Sequence, residues 1–269
     1  IFAILDTPQE IVDAKTAKPL ETINGKIQFK NVWFAYNHDN WVLRDVSFTI
    51  NPGEKIAIVG ATGAGKSTTM ALFSRFYDIE RGEILIDDVP IKSMPQTWLR
   101  RNTGIMLQDP WVFTDTITEN IRMRDSMISL DIVNAAAKAV GADTFINTLP
   151  AGYNTQVSER GANFSTGQKQ LISLARVAAF NPQIVLVMDE ATASIDPETE
   201  AIIQAGLATV MEGRTSIIIA HRLNTIRHVD RILVFHQGEL VENGSHEDLI
   251  AQGGIYTQLY EMQYGLTSQ

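Results

Sequence analysis

The chain has 269 residues, 31 acidic against 22 basic side chains for a formal net charge of −9, and no cysteine. Its bases are scattered, with only Arg100 and Arg101 adjacent, which argues against a nucleic-acid backbone binder, and the missing thiols exclude disulfides and thiolate metal sites. At 45% hydrophobic and 20% charged residues the chain can bury a sizeable core, while apolar runs such as IVLVM at 184–188 fall far short of the ~20 residues of a membrane helix.

In chain order, residues 1–22 read as a linker whose opening IFAILDTPQE lacks the basic start and cleavage pattern of a signal peptide and looks like a cut end. Residues 23–269 are expected to form one lobed domain. KIQFKNVWFAY and WVLRDVSFTINPG are strand-like and predict a small antiparallel β-lobe. From Lys55 onward, short β-branched runs alternate with helical segments: KIAIVG, EILID, GIMLQ, QIVLVMDE, TSIIIA and RILVF. That alternation predicts an α/β core with a mostly parallel sheet. Residues 109–182 carry helical periodicity and no convincing strand, so they read as a helical lobe inserted in the sheet. The end, SHEDLIAQGGIYTQLYEM, predicts a helix capped by Ser245 and interrupted at Gly253–Gly254.

GATGAGKST at 60–68 follows a predicted strand and precedes a predicted helix. Gly60, Gly63 and Gly65 allow a tight turn whose N–H groups face phosphates, and the helix start adds its positive dipole end. Lys66 reaches the β- and γ-phosphates and Ser67 offers a hydroxyl to Mg²⁺, the Walker A pattern of a phosphate-loop NTPase. Thr62, Ala64 and Thr68 complete the loop. The run IVLVMDEA supplies the companion acids: Asp189 to hold Mg²⁺, and Glu190 to orient and polarise the attacking water. Taken alone, two acids after a strand more often begin a solvated loop. In NFSTGQKQLISLAR, Ser165 and Gly167 open a further helix with an outward-facing positive end, a second anion site.

A signature of this kind between Walker A and Walker B, after a helical insertion, resembles the ATP-binding cassette family along nearly the whole chain. The resemblance implies a stacking role on adenine for Tyr36. It gives Gln108 contacts to Mg²⁺ and the attacking water, and it makes ASID at 193–196 the loop that crosses to an opposing subunit. His221 then matches the switch histidine at the γ-phosphate. QDPWVFTDTITENI and VSERG at 157–161 resemble the exporter subtype, in which the Gln108 region and Glu159 meet a transmembrane domain on the cytoplasmic face of a membrane.

The resemblance further implies a head-to-tail dimer in which ATP and Mg²⁺ on Gly60–Thr68 of one cassette are covered by Ser165, Gly167 and Gln168 of the other. Thr166 stands where the family has glycine, and Phe164 where it has leucine. An altered signature beside intact Walker residues suggests one half of a heterodimer, with tolerated variation the plainer reading. Rival readings are a nucleotide kinase or GTPase, a soluble cassette of DNA maintenance or translation, and a cassette that binds ATP without turnover. No N-K-x-D motif, no long coiled coil and no second cassette supports the first two, and the intact Lys66, Asp189, Glu190 and His221 weigh against the third.

Overall fold

A computed structural model describes residues 11–37, 40–107, 110–189, 195–220 and 229–264. Strands β1 (Ile27–Ala35) and β2 (Trp41–Ile50) come first, then β3 (Lys55–Val59) and helix α1 (Lys66–Phe73). After these come β4 (Arg81–Ile86), β5 (Val89–Pro90), α2 (Gln96–Arg101) and β6 (Thr103–Met106). The helical interval holds α3 (Ile117–Arg122), α4 (Leu130–Ala139), α5 (Ala142–Ile146) and α6 (Thr166–Phe180). The chain then runs through β7 (Ile184–Asp189), α7 (Pro197–Met211), β8 (Thr215–Ala220), β9 (Arg231–His236) and β10 (Glu239–Gly244). It closes with α8 (His246–Gln252) and α9 (Ile255–Tyr264).

Two sheets result, one antiparallel in the order β2-β1-β4-β5 and one in the order β10-β9-β3-β8-β7-β6. All neighbours in the second are parallel except β9 and β10. Its central strands alternate between two cores, which is why their sequences are continuously apolar instead of alternating with polar residues. Ala57, Val59, Val185, Val187, Ile218 and Val234 face a core shared with α4, α6 and α7. Ile56, Ile58, Leu186, Ile217, Ile219 and Phe235 face the opposite core, with α1 and the antiparallel lobe. Helix α1 is thus clamped between the two sheets through Met70, Leu72 and Phe73.

One expectation is corrected. EILID was expected in the parallel core, yet β4 pairs antiparallel with β1, with Ile27 opposite Ile86 and Lys30 opposite Glu83. Both sides of β3 are taken, by β8 and by β9, so the strand following α1 finds its free edge on β1. A second strand, β10, has no counterpart among the expected elements. Its residues, ELVENG, are exposed at every other position, and it lies on the sheet edge as a hairpin partner of β9. Turn residues Gln237 (φ 49°) and Gly238 (φ 86°) are both left-handed, the geometry that a two-residue hairpin requires.

The terminal helix breaks where expected. Ser245 Oγ accepts the Asp248 N–H at 3.2 Å, and Gly253 (φ 66°) ends α8. At the other end of the chain, the Asp13 carboxylate accepts the Gln96 N–H at 3.1 Å and pairs with Arg75 at 3.2 Å. Arg75 follows α1, its side chain is only 2% exposed, and it also donates to the Met94 carbonyl at 3.0 Å. Among the described residues no helix is long and apolar enough to cross a membrane.

Candidate functional site

Three glycines shape the loop between β3 and α1 for three different reasons. At Gly60 (φ 150°) a Cβ would lie 2.2 Å from the Phe235 carbonyl oxygen of β9, and at Gly65 (φ 102°) 2.5 Å from Leu43 Cδ2 of β2. Gly63 (φ 81°) has nothing within 4 Å of such a Cβ, so only its backbone conformation demands glycine. The first and third glycines seat the loop on both sheets, while its middle, with Thr62 and Gly63, is exposed. Ala64, Gly65, Lys66 and Thr68 are buried and Ser67 is exposed.

Lys66 is 5% exposed, and its ammonium donates to the Gly60 carbonyl at 2.7 Å and the Ala61 carbonyl at 3.0 Å. The cation is therefore held over the loop. Helix α1 begins at Gly65 with no side-chain cap and no acid in its first turn, so its positive end is not neutralised locally. A loop that brings a buried ammonium and an uncapped helix start together fits an anion with several oxygens.

Tyr36 lies just past the end of β1 and is 49% exposed, so it is no core aromatic. Its hydroxyl is 3.1 Å from Thr68 Oγ1, which ties the ring to α1. The strands leading to the remaining candidates end side by side, with Asp189 of β7 opposite Ala220 of β8. β8 in turn neighbours β3, so three parallel strands deliver their C-terminal ends to one rim, the usual ligand position of an open α/β sheet. Glu190 and His221 are the next residues after Asp189 and Ala220. Glu190, His221 and Gln108 lie outside the described residues, as does the side chain of Asp189.

The second loop is satisfied from within. Ser165 Oγ accepts the Gln168 N–H at 3.2 Å and the Gln168 side chain accepts the Ser165 N–H at 3.0 Å, a complete capping box. Gly167 is buried against α7, where a Cβ would lie 2.5 Å from Thr199 Cγ2. Asp196 caps α7 by accepting the Thr199 N–H at 2.9 Å, and Pro197 takes the first helical position. Phe164 is buried, its ring 6.3 Å from that of Phe145, so it serves the core of the helical lobe.

The two segments singled out as partner contacts meet each other. A Cβ on Gly161 would lie 2.4 Å from Val112 Cγ2, and the Val157 N–H donates to the Asp115 carbonyl at 2.8 Å. Two side chains missed by sequence reasoning hold this surface together. Buried Asn120 accepts the Phe113 N–H at 2.7 Å and donates to the Phe113 carbonyl at 2.9 Å. Arg176 of α6 donates to the carbonyls of Asn120 at 2.9 Å and Trp111 at 3.1 Å, and burial pulls its guanidinium down to about 10. Trp111 and Phe113 stay about half exposed, and Glu159 is exposed. On the same surface the Arg124 guanidinium, hydrogen-bonded to Asp115, holds that carboxyl below its usual range.

The sequence model described as ABC transporter matches residues 43–193. An uncharacterised ABC transporter ATP-binding protein of Bacillus subtilis is 47% identical over 98% of this chain and 44% of its own length. A probable multidrug resistance ABC transporter ATP-binding/permease protein of the same bacterium is 45% identical over 98% of this chain and 39% of its own length. A fatty acid ABC transporter ATP-binding/permease protein of Mycobacterium tuberculosis is 45% identical over 96% of this chain and 41% of its own length. Among solved structures, a bacterial Atm1-family ABC exporter with ATP bound superposes with a TM-score of 0.91 at 42% identity, over 100% of this chain and 47% of that one. The chain thus spans less than half the length of these relatives. The family model and this set of relatives agree: the chain belongs to the ABC transporter family and carries its ATP-binding ATPase domain, similar to that of exporters.

Proposed function

We propose that this domain binds ATP with Mg²⁺ on Gly60–Thr68 and hydrolyses it to drive export by a longer membrane protein. The observation that carries this reading is the buried Lys66 ammonium across an uncapped loop, on the rim where β3, β8 and β7 end together. On binding, Lys66 exchanges the Gly60 and Ala61 carbonyls for β- and γ-phosphate oxygens, and the loop N–H groups take the rest. Ser67, Gln108 and Asp189 form the oxygen donor set that suits Mg²⁺. Bound Mg²⁺ supplies charge neutralisation to the phosphates. Glu190 orients the attacking water and receives its proton, His221 contacts the γ-phosphate, and the Tyr36 ring stacks on adenine.

Ser165, Gly167 and Gln168 act on the ATP of a second cassette, so two copies close head to tail over two nucleotides. Closure excludes water and completes the charge distribution around the transferred group. The joined surface of Trp111, Phe113 and Glu159 passes this motion to a transmembrane domain, which places the cassette on the cytoplasmic face of a membrane. Residues 1–22 connect the two, residues 23–269 are the cassette, and about 109–182 its helical lobe. Glu190→Gln should keep ATP binding and lose steady-state hydrolysis by orders of magnitude. Near-normal turnover would remove Glu190 from this role. Lys66→Ala should instead weaken binding itself.

Thr166, at the first position of α6, supports pairing with a different cassette whose own signature is intact. Mixing the two should then give more ATPase than either alone. Full activity of this chain by itself, with Thr166→Gly changing nothing, would make Thr166 ordinary variation.

A further inference from the structure

The geometry points to Tyr77 as a positioning residue for the Tyr36 ring, an inference that rests on reading Tyr36 as the adenine platform. A half-exposed tyrosine just past a strand end has two side-chain torsions to lose before it can present a fixed face. Three contacts restrict them here. Its hydroxyl meets Thr68 Oγ1 at 3.1 Å, and its ring stands edge-on to Phe34 (4.9 Å between centroids, 85°) and to Tyr77 (5.0 Å, 86°). Phe34 is 3% exposed and belongs to the β-lobe core, so it is a fixed wall. Tyr77 is 43% exposed and contributes little to that core, yet its ring lies against both of the others, 5.7 Å from Phe34.

The position of Tyr77 in the chain gives this contact its meaning. It comes four residues after the end of α1, beyond left-handed Arg75 (φ 51°), whose buried guanidinium is fixed to the Met94 carbonyl and Asp13. The segment that carries Lys66 and Thr68 at its start thus returns a second aromatic to the Tyr36 ring just past its end. Tyr36 is held to that one segment at both points, by Thr68 through its hydroxyl and by Tyr77 through its ring. The base platform and the phosphate loop are therefore set relative to one another before a nucleotide arrives, which lowers the ordering cost of binding. The Tyr77 hydroxyl makes no hydrogen bond among the described residues, so the ring alone carries the effect.

The test compares equilibrium affinities of the full chain for Mg-ATP and for inorganic tripolyphosphate, which uses the loop but has no base. Tyr77→Ala should weaken ATP about 2- to 10-fold, the range for losing one edge-to-face pair, and leave tripolyphosphate unchanged. Tyr77→Phe should restore ATP affinity. In a Tyr36→Ala background, Tyr77→Ala should cost nothing further, because the two act through one ring. Unchanged ATP affinity in Tyr77→Ala beside a clear loss in Tyr36→Ala overturns the inference and leaves the platform reading standing. Loss of tripolyphosphate binding in Tyr77→Ala also overturns it, because Tyr77 would then support the loop itself. Unchanged affinity in Tyr36→Ala removes the platform and the inference together.

Discussion

The loop before α1 and the loop before α6 both set small residues and glycine ahead of a helix, and they solve the helix start in opposite ways. Before α1 no side chain caps the helix, and the nearby ammonium of Lys66 rests on loop carbonyls. Before α6 the Ser165 and Gln168 side chains close a reciprocal box over the first turn. The first helix start has groups to give to a ligand. The second has its Ser165 and Gln168 N–H groups paired within its own chain, so whatever it offers across a dimer interface comes from groups already positioned. The contrast extends to the glycines: Gly60 and Gly65 hold their loop against two sheets, and Gly167 lets α6 approach α7.

The largest effect that can break this comparison is Gly60→Ala. Its Cβ would meet the Phe235 carbonyl in a backbone conformation that L residues rarely adopt, at a cost of about 3 kcal/mol. Chemical denaturation should show that loss together with weakened ATP binding. Gly167→Ala should cost about 1–3 kcal/mol through its collision with Thr199, while ATP still binds the single chain with unchanged affinity. If Gly167→Ala weakens that binding as much as Gly60→Ala does, the two loops do not divide the work as described.

Ser165→Ala sharpens the point at smaller scale. Losing the cap should lower stability by about 1 kcal/mol. If Ser165 serves only as a cap, ATPase per folded molecule stays the same; if it also serves the second nucleotide, hydrolysis falls further than the melting curve explains. Smallest is a pH effect at the neighbouring α7. The Thr199 N–H holds the Asp196 carboxyl below its usual value, so its stabilisation is present above about pH 3.9 and is lost as pH falls through the lower folded value. The difference in Tm between the parent chain and Asp196→Ala should therefore shrink between pH 7 and pH 3.

Local signals were readable from the sequence because their causes are local. The strand–loop–helix around Gly60, the Ser165 and Ser245 caps and the break at Gly253–Gly254 each depend on a few consecutive residues. The sheet to which a strand belongs depends on which edges are free, and EILID carries no sign that β8 and β9 already flank β3. Strand β10 escaped notice because an edge strand with one solvated face needs few apolar residues. Within the site, Lys66 and Tyr36 announced themselves through a motif and a resemblance. Asn120 and Arg176 did not, since each holds backbone carbonyls rather than a patterned partner.

The pairing of Asp13 with Arg75 spans 62 residues and has a consequence for where the domain can be cut. The first strand begins only at Ile27, so sheet topology alone would allow trimming to just ahead of it. A chain shortened past Asp13 would keep a guanidinium that is 2% exposed and retains only carbonyl partners and Asp78 at 3.7 Å. A buried cation that loses its hydrogen-bonded carboxylate and keeps only the more distant Asp78 is destabilised, and here the strain would fall on the residues that connect α1 to Tyr77. For proteolysis and truncation, the connecting segment is therefore part of the folded unit from Asp13 on, well ahead of the first strand.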